Sequence, residues 1–196
     1  GSASNILNLL IGFFTGVSSG ATVIISQYFG ANDRDGVNRA LHTAMLFALV
    51  GGAFIMVLGL VGTEFMLRLM DTPEDTIAGS ALYLRIMFMG MVPNMVYNVG
   101  SAILRAMGDS KRPLYFLIVA CLSNVVLDLV FVLVFKMGIA GVAIASILAQ
   151  AISAVMVVMS LSAESMEYRF RFRQMRFEGD ILSRTIRIGL PAGFQS

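Results

Sequence analysis

The chain has 196 residues, of which 57% are hydrophobic and 13% charged, with a formal net charge of +2. A soluble domain carries roughly 25% charged residues, so this one lacks the polar surface to coat a water-soluble globule, and its near balance of charge offers no broad basic face to nucleic acid. A single cysteine, Cys121, and a single histidine, His42, exclude an internal disulfide and a histidine-built metal site.

A membrane-spanning helix needs about 20 mostly apolar residues. Five stretches meet that requirement. Residues 4–27 and 43–63 carry no charge, 77–104 carries only Arg85, 113–135 carries only Asp128, and 138–163 carries none. A sixth span begins at Gly189. No charged segment precedes the first span, which therefore does not read as a signal peptide. The expected fold is all-α: a polytopic membrane protein built as an antiparallel bundle of transmembrane helices. The predicted divisions are a bundle over 1–163, a cytoplasmic linker over 164–188 and a further membrane segment from 189 to 196.

The connectors have turn chemistry. They read YFGANDRDGVNR, MDTPEDT, MGDSKRP and FKMG, and their shortness makes neighbouring helices antiparallel. Gly30 is placed to cap the first helix, and Pro113 to sit in the first turn of its own, where a missing N–H costs nothing. GANDRDG has a superficial calcium-loop look, but its spacing is wrong and a turn explains it. The last connector, ESMEYRFRFRQMRFEGDILSRTIR, alternates arginine with aromatics. It reads as an amphipathic segment on the membrane surface or as a solvated charged linker.

Lysine and arginine placement sets the orientation. Connectors one, three and five hold eleven of the fourteen basic residues, including Arg34, Arg39, Arg105, Lys111, Arg112, Arg184 and Arg187. Those connectors face the cytoplasm. The first span then runs from outside to inside, which predicts a further helix before Gly1. Arg85 is expected to snorkel to the outer interface. Two ladders of small residues, Gly12, Gly16, Gly20 and Gly141, Ala145, Ala149, Ser153, predict close helix packing.

Asp128 is the one acidic side chain deep inside a span. A carboxylate there is expensive, so it is expected to face an interior path and to handle an ion or a proton. Asn124 lies one turn earlier on the same face. An amide oxygen and a carboxylate make a hard oxygen site suited to Na⁺ or to a proton relay. The following turn centres near Met137, so the hairpin brings Ser146 to the depth of Asp128 and Gln150 to that of Asn124. Asp128 lies fifteen residues beyond Pro113, or about 22 Å along a helix, which places it in the outer half of the bilayer. A protonated Asp128 that hydrogen-bonds a neighbouring helix is the competing reading. In the third span Asn94, Asn98 and Ser101, with Tyr97 and Pro93 beside them, form a polar stripe that lines a pathway or glues helices. His42 has no acid near it in sequence, and no nucleophile–base pair, phosphate loop or paired carboxylate is visible, so no enzyme is expected.

Five segments resemble the multidrug and toxic compound extrusion (MATE) transporters: GATVIISQYFGAND, AILRAMGDSKRP, SNVVLDLVFV, GIAGVAIAS and GLPAGFQS. The resemblance runs along essentially the whole chain. It implies helices two to six of a two-lobe, twelve-helix protein, the inter-lobe linker and the start of helix seven. It further implies a multi-pass protein of the inner (plasma) membrane that exports bulky, often cationic compounds across surrounding lipid, driven by Na⁺ or H⁺, with no covalently bound cofactor. Asn124 and Asp128 fall on the family's cation motif. Ser146 falls where some members place threonine. The acidic residue of the family's first helix has no counterpart here, and the missing second lobe is an expected partner. Two other functions fit the architecture: a related flippase for lipid-linked precursors, and a non-transporting membrane scaffold.

Overall fold

The computed structural model describes residues 2–69, 71, 73–162 and 179–195. Among them every regular element is helical. In chain order these are α1 (Ser2–Gly30), α2 (Arg34–Leu69), α3 (Glu74–Met89), α4 (Met91–Ala106), α5 (Lys111–Leu129), which runs into a π turn (Val130–Val134), α6 (Ile139–Ser162) and α7 (Gly179–Gln195). α2, α5 with its π turn and α6 are each long and apolar enough to cross a membrane, and α3 with α4 makes one broken span bent by 41°. The chain is a multi-pass membrane protein.

The turns follow their local chemistry. The left-handed residue after α1 is Asn32, at φ 57°, so the reversal expected at Gly30 falls two residues later and Gly30 simply ends the helix. Asp33 then caps α2, its Oδ1 accepting from Gly36 N at 3.0 Å. Pro113 sits in the first turn of α5, as expected. The α5–α6 hairpin turns through Lys136 and Gly138, both at positive φ. The span read as continuous over 77–104 is broken at Gly90. Pro93 explains the break: it cannot donate to the Met89 carbonyl and its ring crowds that group.

In lipid, burying leucine brings no transfer energy, so dispersion and close approach hold helices together. The tightest crossing joins α1 to α7. A Cβ on Gly189 would lie inside contact distance of the Gly16 carbonyl oxygen and 2.9 Å from Val17 Cα, and one on Gly20 would lie 3.0 Å from Gly189 N. Below this crossing, Arg184 donates to Tyr28 Oη at 2.6 Å and covers its ring at 5.4 Å. α7 runs unbroken past position 188, so the boundary drawn there falls inside a helix. The Arg-aromatic part of the last connector lies outside the described residues.

Ile24, Ile25, Leu41, Met45, Ile103, Leu104, Leu161 and Ile181 are fully buried together. They come from the end of α1, the start of α2, the ends of α4 and α6 and the start of α7. Antiparallel order puts all five at the same end of the bundle, the end that carries the α1–α2 and α4–α5 connectors. The small residues Gly141, Ala145, Ala149 and Ser153 of α6 are buried too, as their ladder predicted.

Candidate functional site

A cavity of about 350 Å³ opens among α3, α4, α5 and α6. α4 contributes Asn94, Tyr97 and Asn98, because its break at Gly90 and its 3.6-residue period turn that polar stripe one way. α5 contributes Leu117, Ala120, Cys121 and Asn124, α6 contributes Ser146, Ala149, Gln150 and Ser153, and Met87 of α3 completes the wall. The lining is rich in carboxamides and hydroxyls, and among the described residues that form it none is charged.

Six of the seven residues singled out from sequence therefore meet in one space: Asn94, Tyr97, Asn98, Asn124, Ser146 and Gln150. Several are already engaged. Asn98 Nδ2 donates to the Asn94 carbonyl at 2.9 Å and to Asn94 Oδ1. Tyr97 Oη donates to the Pro113 carbonyl at 3.0 Å, fixing α4 against the start of α5. Ser146 Oγ donates to Val142 O within its own helix at 3.2 Å, so its proton is spent and only its lone pairs face a ligand. Ser101, read as part of the stripe, is buried with its Oγ unpartnered and does not line the cavity.

Asp128 is the seventh. It lies one turn beyond Asn124, outside the lining residues. The carboxylate thus stands one helical turn along α5 from a residue that lines the cavity. Asn124 Oδ1 and Asp128 Oδ1 are both buried with no hydrogen-bond partner. Buried polar oxygens are almost always paired, and leaving one bare costs about 1–3 kcal/mol, more for a charged group. Two such acceptors one helical turn apart form a donor set that calls for a cation, a proton or water. Among the described residues no group of three or more His, Cys, Asp or Glu side chains is placed to hold a metal ion.

Sequence reasoning passed over Ser153, Met87, Leu117 and Cys121. Spacing offered a signal for two of them: Ser153 is three residues after Gln150, and Cys121 three before Asn124, each on the face of a residue already chosen. His42, set aside as a catalytic group, is buried in α2 and donates from Nδ1 to the Asn38 carbonyl at 2.7 Å.

Residues 1–130 match the MatE family model. The chain is 32% identical over 191 residues to the probable multidrug resistance protein YoeA of Bacillus subtilis, covering 94% of this chain and 41% of that protein. It is also 32% identical over 193 residues to the probable multidrug resistance protein YpnP of the same organism, covering 98% and 43%. The chain thus spans about two fifths of the length of these relatives. Among solved structures, its fold resembles a multidrug resistance MATE family transporter of the MOP superfamily. The match has a TM-score of 0.85 and 24% identity both to the inward-facing conformation (96% of this chain, 43% of that one) and to the outward-facing conformation (99% and 43%).

Proposed function

From the premise that the chain belongs to the MatE family, we propose that it is one lobe, residues 1–163, of a secondary exporter in the cell's inner membrane. In this reading 164–188 links it to a second lobe that begins at 189. The exporter moves bulky, often cationic organic compounds outward in exchange for Na⁺ or H⁺. It is a transporter and not an enzyme, and needs no bound cofactor.

One observation carries the coupling: the pair of unpartnered buried oxygens on Asn124 and Asp128. A cation or proton arriving at Asp128 satisfies both acceptors and cancels the buried charge, which changes the preferred packing of α5. Departure restores the charge and reverses the preference. Na⁺ fits the pair as a hard ion among oxygens. H⁺ fits Asp128 alone, with Asn124 accepting from the new O–H. The cavity beside the pair, with Asn94, Tyr97, Asn98 and Gln150 on its walls, suits an organic substrate held by dipoles and apolar contact. Ser146 serves there as a weak acceptor. A fold equally close to inward- and outward-facing relatives suits a lobe that rocks as one body.

The test is Asp128→Asn in the exporter that contains this chain, with drug efflux measured from vesicles under an imposed Na⁺ or pH gradient. The near-isosteric change keeps shape and removes the ionisable group. Gradient-driven efflux should vanish while the protein still folds and inserts. Unchanged efflux with unchanged ion dependence would defeat the proposal.

A further inference from the structure

Tyr97 belongs to two parts of the structure at once. It lines the cavity beside Asn94 and Asn98, and its Oη donates to the Pro113 carbonyl of α5 at 3.0 Å. α5 is thinly held: of its described residues only Pro113 and Ala120 are buried. Each polar contact at its start therefore weighs heavily on how the helix sits. Tyr97 ties that start to α4, and Arg112 ties it to α6 by donating to Ser160 Oγ at 2.9 Å. The two contacts differ in what lies behind them, because Tyr97 lines the cavity and Ser160 is not among its lining residues.

From Pro113 the helix runs unbroken to Leu129. Asn124 and Asp128 lie about 16 and 22 Å further along its axis, each with a buried oxygen that has no partner. A rigid helix carries a shift imposed at Pro113 to both oxygens. A compound that fills the cavity meets Tyr97, and this side chain cannot move without disturbing its bond to Pro113.

We propose that Tyr97 is a positioning residue that links the cavity to the cation pair: through the Pro113 carbonyl, a compound in the cavity sets how α5 presents Asn124 and Asp128. This rests on the reading that Asp128 takes up the coupling ion. In an exchanger the two ligands disfavour one another, so the compound weakens ion binding and the ion weakens the compound by the same factor. One neutral hydrogen bond shifts an equilibrium by about two- to twelvefold, which sets the size of the contribution from Tyr97.

The test uses the full-length exporter that contains this chain, purified in detergent, with ethidium as a fluorescent organic cation. Half-saturating Na⁺, and in separate runs H⁺, is read from the rise in melting temperature with and without ethidium, and Asp128→Asn supplies the blank. The ratio of the two values measures the coupling. It should exceed one in the wild type and fall about two- to twelvefold towards unity in Tyr97→Phe, which keeps the ring and loses the donor. 3-Fluorotyrosine at position 97, a stronger donor of nearly the same shape, should raise the ratio, and it carries the test if Tyr97→Phe does not fold. Arg112→Gln should lower the melting temperature and leave the ratio unchanged, because its bond leads away from the cavity. A wild-type ratio of one would overturn the proposal, as would a ratio indifferent to both changes at position 97. So would an equal fall in Arg112→Gln, which would trace the effect to a general loosening of α5. If Asp128→Asn responds to the ions as the wild type does, the reading of Asp128 fails and this link with it. If that response is lost but the ratio ignores position 97, the link alone fails.

Discussion

Replacing Gly189 by alanine tests the reasoning about the α1–α7 crossing. The added Cβ would meet Val17 Cα at 2.9 Å and press on the Gly16 carbonyl. Carbon atoms rest about 3.5–4.0 Å apart, so the helices must separate by roughly 1 Å, and a gap of that size forfeits up to about half of each dispersion contact along the seam. Both obstacles are backbone, so no side chain can swing away. A cost of about 1–3 kcal/mol is expected, in the range of overpacked cores. Gly62 and Gly79 are controls, because nothing lies within 4 Å of a Cβ at either position. There alanine should stabilise by up to about 1 kcal/mol through helix propensity. Thermal unfolding in detergent measures all three. Gly20→Ala should destabilise as well, and Gly20→Ala/Gly189→Ala should cost less than the sum, since one separation relieves both clashes. If Gly189→Ala unfolds no earlier than Gly62→Ala, the helices do not cross as described.

Other outcomes follow from single contacts. Tyr97→Phe removes the bond to the Pro113 carbonyl and should cost about 0.5–1.5 kcal/mol, read as an earlier thermal transition. Asp33→Ala removes the cap on α2 and should cost about 0.5–2 kcal/mol in the same assay, whereas Asp33→Asn should retain most of the stability. Cys121 is the sole cysteine, exposed and on the cavity wall. A maleimide should label it at one site by mass spectrometry, and a compound that fills the cavity should slow the labelling. Ser146→Ala, whose hydroxyl bonds within α6, should reduce ion-driven export several-fold less than Asn124→Ala.

The helices were legible because each span needs about 20 apolar residues and each connector carries turn residues. Position along an axis was legible too: counting from the Met137 turn placed Asn124 level with Gln150, and both line the cavity. Rotation was not. Spacing fixes which residues share a face but not where that face points, so it set Ser146 at the depth of Asp128 without showing that Asn124, and not Asp128, is among the residues that line the cavity. Pro93 announced a disturbance without locating it, because the steric conflict falls on a carbonyl four residues earlier. The ladder at Gly12, Gly16 and Gly20 announced a crossing without naming the other helix. Its partner, Gly189, stood where the sequence reads as the start of a new segment, and only tertiary packing brings it back to α1. Nothing in VFVLV marks a π turn, since its residues suit either helix type.

That π turn changes how the far end of α5 should be read. Phe135 N donates to the Val130 carbonyl at 3.1 Å, five residues back, so the helix holds one residue more than an α-helix would over the same stretch. A helical wheel drawn from Lys111 through Val134 slips out of phase by about 100° at Val130. Mutational tolerance along the span should keep one rhythm as far as Leu129 and resume it, rotated, afterwards. Deleting a single valine from the turn would bring the two rhythms back into step and swing Phe135 and the loop after it around the helix axis, while Asp128 stayed where it is.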